Sequence, residues 1–159
     1  MSMNMRKAAP AALLALGAAA LAALAMVARA PVSPPSTTSG DIAAPAQIEA
    51  LLTRACYDCH SNQTRWPWYG RVAPVSWLVA RDVALGRKEL NFSEWRSYYP
   101  RTRRRKLQWM GRVLRERAMP PWSYRLMHPG ARLTGAERAM LERWIEAAIV
   151  TPAPHPAAD

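Results

Sequence analysis

Cys56-Tyr57-Asp58-Cys59-His60 is the stretch that most constrains what this chain can fold into. It holds the only two cysteines among 159 residues, with two residues between them and a histidine directly after. Cysteines so spaced at a helix end put both sulfurs on one side of the turn. With the adjacent histidine they make up the attachment signature of a c-type haem. In that chemistry the two thiols add across the vinyl groups of the macrocycle to give thioethers. The imidazole binds the iron from the proximal side through a neutral ring nitrogen. The motif therefore assigns Cys56 and Cys59 to covalent attachment of one haem c, and His60 to the proximal iron position. Two other uses of a cysteine pair fit less well. Thioredoxin-like exchange wants a βαβ setting, and no stretch here reads as alternating strands and helices. A structural zinc site wants four ligands, and no second cysteine pair exists.

Covalent haem attachment of this type takes place outside the bacterial inner membrane, so the N-terminus matters. Residues 1–7 (MSMNMRK) form a short positive leader, and residues 8–28 follow without a single charge. That run is 21 residues long, against the roughly 20 apolar residues of a transmembrane helix. It is alanine-rich and only weakly hydrophobic. Ala28-Arg29-Ala30 offers small residues for cleavage, but Pro31 follows immediately. Residues 1–30 thus read as an uncleaved signal anchor, with a removed signal peptide as the alternative. Both readings keep Arg6 and Lys7 in the cytoplasm and place everything after residue 30 on the periplasmic side.

Residues 31–40 (PVSPPSTTSG) are a Pro/Ser/Thr linker that cannot bury a core. The folded domain is expected over 41–150, and 151–159 is a disordered Pro/Ala tail in which His155 plays no part at the iron. Within the domain, Asp41 is a candidate cap for a helix reaching the cysteines, with Ile48, Leu51, Leu52 and Ala55 on one apolar face. A second helix is expected from about Pro74 to Gly86, carrying Leu78, Val79, Val83 and Leu85. Asn91 and Glu94 resemble a capping box opening a short helix through Phe92 and Trp95, which Tyr99-Pro100 stops. Thr102 opens a further helix with Leu107, Met110, Val113 and Leu114 at helical spacing. Thr134 and Glu137 form a capping box for the last, whose buried stripe is Met140, Leu141, Trp144, Ile145, Ala148 and Ile149. No stretch alternates with period two. The domain is all-α.

The chain carries a formal charge of +11, and residues 1–30 hold three basic residues and no acidic one, so the remainder is +8. Arg101, Arg103, Arg104, Arg105 and Lys106 concentrate it. The run reads either as a docking patch for an acidic redox partner or anionic lipid, or as a solvated helix start, although cations there oppose the helix dipole. Export excludes nucleic acid as the natural partner.

A haem with one histidine ligand needs a second protein ligand for electron transfer, or an open face for binding and chemistry. The segment 118–133 (AMPPWSYRLMHPGARL) holds Met119, Met127 and His128. Pro120 and Pro121 stiffen the backbone after Met119, which suits a weak thioether ligand, so Met119 is the expected distal ligand and His128 the alternative. Met/His ligation raises the reduction potential relative to paired histidines.

Four motifs then agree in order: Cys56–Tyr69 (CYDCHSNQTRWPWY), Ala73–Leu78 (APVSWL), Asn91–Trp95 (NFSEW) and Met119–Leu133 (MPPWSYRLMHPGARL). Together they resemble the bacterial haem-binding domain family of small exported, c-type cytochrome-like proteins, over most of residues 50–146. The resemblance implies a cytochrome c-like helical domain around covalently attached haem, with first and last helices packed together. It also implies Cys56 and Cys59 as thioether residues, His60 as proximal ligand and Met119, in the MPP motif, as distal ligand. The arginine-rich run is a feature of this chain. Trp66, Trp68 and Tyr69 either line the haem edge and exclude water or belong to the core. The expected function is a periplasmic, membrane-tethered electron-transfer module rather than an enzyme. The alternatives are a haem-based sensor or small-molecule binder with an open distal face, and a peroxidase-like enzyme using His128 as distal acid–base group.

Overall fold

A computed structural model describes residues 5–27 and 42–151, and within the first helix the side chains of residues 12–23. The linker at 31–40, the cap at Asp41 and the tail with His155 lie outside the described residues. Seven α-helices and three 3-10 turns make up the described secondary structure, with no strand among the described residues. The helices are α1 (Met5–Val27), α2 (Ala46–Ala55), α3 (Tyr57–His60), α4 (Val75–Glu89), α5 (Pro100–Arg115), α6 (Trp122–Met127) and α7 (Gly135–Val150). The all-α expectation holds.

The described residues fall into two compact units, 5–27 with 66–81, and 42–65 with 82–151. The first unit contains α1, the 3-10 turn Trp68–Arg71 and the opening of α4. On α1, Leu13, Leu14, Leu16 and Leu21 are exposed. Among the described residues no helix is long and apolar enough to cross a membrane. The physical reason lies in the composition: alanine brings little apolar area, and hydrophobic transfer scales with area. In 66–81, Trp68 meets Tyr69 edge-on at 5.8 Å between ring centroids, and Trp68, Trp77 and Leu78 face solvent.

The second unit holds the core. Ile48, Leu51, Leu52 and Ala55 are all buried, as the apolar face of α2 requires. Ile48, Leu51 and Leu52 join Leu107, Met110 and Leu114 of α5, Leu141 and Ile145 of α7, and Tyr57, Leu90, Phe92 and Trp95. α7 packs against both α5 and α2, so the first and last helices of the domain meet as the family resemblance implies. Arg54 on α2 donates from Nη2 to Glu137 Oε1 on α7 at 2.6 Å.

Three boundaries differ from the sequence reading. Pro100 does not end an element but opens α5, at a first-turn position where its missing N–H costs nothing. α4 runs past Gly86 to Glu89. The Asn91 cap is present, its side chain accepting from Ser93 N at 3.1 Å, over a 3-10 turn, Phe92–Ser97. There Glu94 accepts from Asn91 Nδ2 at 3.0 Å rather than from the cap's backbone, because the Asn91 N–H is taken by Tyr98 Oη.

The capping box of α7 closes in both directions, Glu137 N to Thr134 Oγ1 at 3.2 Å and Thr134 N to Glu137 Oε2 at 2.8 Å. Thr134→Ala frees one of the orphan donors of the first turn. It is expected to lower stability by about 1 kcal/mol, read as a shift of the urea midpoint at unchanged slope.

Candidate functional site

α2 ends where Cys56 leaves helical geometry (φ −127°, ψ −36°), and Cys56 then caps α3. Its carbonyl accepts from His60 N at 2.9 Å and from Cys59 N at 3.2 Å. The motif is thus wound into a single turn. The intervening residues point inward: Tyr57 is buried and stacks on Phe92 at 5.4 Å, and Asp58 is 7 % exposed. Cys56 and Cys59 are unpaired in disulfide terms and half-buried. Burial, then the neighbouring Cys59, pushes the Cys56 thiol up to about 12. Burial, then Asp58 and Asp82, pushes Cys59 up to about 11, against the pull of Arg87. Both groups are held as thiols, the reverse of the stabilised thiolate that disulfide exchange requires.

His60 is oriented by α4. Its Nδ1 lies 2.9 Å from the Gly86 carbonyl and 3.0 Å from the Leu90 carbonyl. Both partners are acceptors, so Nδ1 carries the proton and Nε2 keeps its lone pair. Burial also lowers the pKa of the imidazole, against the two backbone hydrogen bonds. A neutral ring, fixed in tautomer by backbone carbonyls, is the arrangement that orients a metal-binding histidine. The contact that allows it is Gly86. A Cβ there would fall 2.5 Å from the Cys59 carbonyl oxygen and 3.1 Å from both Cys59 C and Cβ. The sequence reading used Gly86 as a helix end. Its role is close approach, and an isolated glycine inside an apolar helical pattern was the signal available for it.

The chain leaving His60 is pinned by side chains to which sequence reasoning gave no part in the site, Asn91 among them having been read only as a cap. Asn62 N donates to Ser93 Oγ, and Asn91 Nδ2 to Asn62 Oδ1. Arg87 donates to the Ser61 carbonyl and to Thr64 Oγ1, each at 2.8 Å. Asp58 receives Arg65 N at 3.1 Å and Nε at 3.2 Å on Oδ1, and Tyr124 Oη at 2.6 Å on Oδ2.

Tyr124 brings in the segment with the candidate distal ligands. Past α5 the chain turns at Arg117, which has φ 57°, and Ala118 N and Met119 N both donate to the Val113 carbonyl, at 2.9 and 3.3 Å. Met119 is 37 % exposed. α6 buries none of its residues, and Trp122, Leu126 and Met127 are exposed. His128 stacks flat on Tyr124, with centroids 4.2 Å apart and planes 15° apart. Arg125 has a buried Nε without a hydrogen-bond partner.

The sequence model described as "Haem-binding domain" matches residues 16–147. The chain belongs to that family. No curated protein and no solved structure matches the chain. The residues of this haem-binding domain fit such a group. Two protonated thiols share one turn with an imidazole presenting a free lone pair. An orphaned guanidinium Nε suits a carboxylate such as a haem propionate. Among the described residues no group of three or more His, Cys, Asp and Glu side chains is placed to hold a bare metal ion.

The haem-binding domain places Trp66, Trp68 and Tyr69 in the unit of residues 66–81, Trp68 turned outward at 74 % exposure. The arginine run divides. Arg103 is buried and donates to the Trp95 and Arg96 carbonyls at 3.0 and 2.8 Å. Lys106 donates to the Glu89 carbonyl and lies 4.6 Å from the centre of the Tyr98 ring. Both hold α5 to its neighbours. Arg101, Arg104 and Arg105 are exposed.

Proposed function

We propose that this chain is a c-type haem protein acting as an electron-transfer module. One haem is held by thioethers to Cys56 and Cys59, with His60 proximal and Met119 distal. The observation that carries this reading is the His60 ring: its Nδ1 proton is committed to two carbonyls, which leaves Nε2 as the ring's lone-pair nitrogen on the turn that also carries the two thiols. One-electron exchange at iron is the chemistry the group supplies when bound. The protein's part is to hold the imidazole neutral and fixed and to limit water at the attachment turn. The backbone bonds to Val113 and the prolines after Met119 favour a weak thioether ligand that needs a stiff loop.

The exposed leucines of α1 and the uncharged run around them support export, with retention at the periplasmic face of the membrane and release after cleavage as the two outcomes of a fractionation experiment. Arg101, Arg104 and Arg105 form the docking side for an acidic redox partner, because Arg103 and Lys106 are engaged within the domain.

Visible spectra of the purified protein, oxidised and reduced, with and without carbon monoxide, test the function. The expected result is a six-coordinate low-spin spectrum with a methionine–iron charge-transfer band and no rapid carbon monoxide binding. Met119→Ala is expected to abolish that band and lower the potential, while His128→Ala leaves both unchanged. A high-spin ferric form or ready carbon monoxide binding in the parent protein points instead to an open-faced sensor or peroxidase. A spin-state change in His128→Ala alone transfers the distal role to His128.

A further inference from the structure

We propose that Tyr124 is a positioning residue: its hydroxyl, donated to Asp58 inside the attachment turn, holds the segment carrying the distal ligand in register with the proximal one. The inference rests on the haem reading above and concerns how firmly the sixth ligand is held. Three observations carry it. First, α6 has no buried residue, so packing alone does little to fix where it lies. Second, the Tyr124 Oη to Asp58 Oδ2 hydrogen bond is 2.6 Å long and crosses 66 positions of sequence, from the middle of α6 to one of the two residues between the cysteines. Third, the acceptor is itself buried and held by further hydrogen bonds. Asp58 is 7 % exposed and is gripped on its other oxygen by Arg65 N and Nε, while its carbonyl accepts from Thr64 Oγ1 at 2.7 Å. Hydrogen bonds to a buried carboxylate are the stronger kind, and the bond links a buried turn to a helix that buries none of its residues.

Met119 lies before α6 and His128 after it, so both candidate ligands sit on the segment that this bond registers. Tyr124 also stacks on His128, which keeps that imidazole against α6. One side chain thereby ties the distal segment to the turn carrying Cys56, Cys59 and His60.

Tyr124→Phe in the haem-loaded protein is the test, since it removes one oxygen and keeps the ring that stacks on His128. The expected result is haem still attached, a weakened charge-transfer band and a lowered potential. Carbon monoxide binding becomes faster by about tenfold, the factor one hydrogen bond to a charged acceptor carries. Amide hydrogen exchange across 122–128 accelerates to a similar extent. Ala84→Gly, at an exposed position of α4, is the companion variant, weakening the domain without removing any group of the Tyr124–Asp58–Arg65 arrangement. It is expected to lower thermal stability and leave band, potential and exchange at 122–128 unchanged. An unchanged band and carbon monoxide rate in Tyr124→Phe overturns the proposal, and so does an equal change in Ala84→Gly, which marks general loosening. Pigment-free parent protein overturns the haem reading itself. In that case the exchange comparison on the same two variants still decides whether Tyr124 holds α6.

Discussion

Gly86→Ala is expected to destabilise the domain by about 2 kcal/mol or more, in the range of forced overpacking, and to strip His60 of its orientation in the same step. Local preference argues the other way, since alanine in a helix interior is favoured over glycine by roughly 1 kcal/mol. The decision falls to geometry. The added methyl carbon would meet the Cys59 carbonyl oxygen at 2.5 Å, with Cys59 C and Cβ at 3.1 Å. These atoms belong to the backbone of the Cys56–His60 turn or are bonded to it, so no side-chain rotation relieves the clash. α4 must withdraw. The carbonyls of Gly86 and Leu90, which together accept the His60 Nδ1 proton, withdraw with it. The imidazole then loses its fixed tautomer as well as its orientation. Ala84, exposed on the same helix two positions earlier, supplies the contrast: Ala84→Gly costs about 1 kcal/mol through propensity alone. Urea unfolding of the two variants should show both destabilised, for opposite reasons. Only Gly86→Ala should perturb the visible spectrum. A Gly86→Ala variant as stable as the parent would remove the close approach from the account of this site.

What was legible in the sequence divides along the reach of each signal. The face of α2 and the capping box of α7 are written in residues three or four apart, and both are found as read. The Cys56–His60 motif is equally local, and its single turn follows from its spacing. Signals that depend on what lies opposite were not legible. Gly86 reads locally as a helix end, and only the Cys59 backbone across from it explains why a glycine continues the helix. Arg103 and Lys106 read as members of a cationic run. Their engagement shows only once Trp95, Arg96, Glu89 and Tyr98 are brought alongside. Asp58 looks like a spacer between two cysteines, yet its partners lie 7 and 66 positions away. Pro100 was misplaced for a different reason: a proline is compatible with the residue after one element and with the first turn of the next.

In the chain without haem, the two cysteines are expected to react slowly with a disulfide reagent, and Cys56 more slowly than Cys59. Their thiols are pushed up to about 12 and about 11 from an ordinary value of 9.0. At pH 8 the thiolate fraction falls about tenfold per unit of displacement, and the greater nucleophilicity of a more basic thiolate recovers about threefold of each tenfold. The net expectation is a rate about tenfold below that of an unhindered thiol for Cys59, and about thirtyfold or more below for Cys56. Both rates should go on rising with pH well beyond 9. A thioredoxin-like pair gives the opposite profile, with one fast thiolate already formed below pH 8, and that result would sink the attachment reading. The same displacement fixes the sign of the stability profile. The unfolded chain loses its thiol protons near pH 9 while the folded chain keeps them, so the contribution is complete below that value and is lost as pH rises towards 11 and 12. Thioether formation removes both ionisations. Protein carrying the group should therefore lack this alkaline loss, and so should the doubly substituted Cys56→Ser, Cys59→Ser chain. The difference between attached and unattached protein above pH 9 reports covalent bonding at sulfur by a route that does not depend on colour.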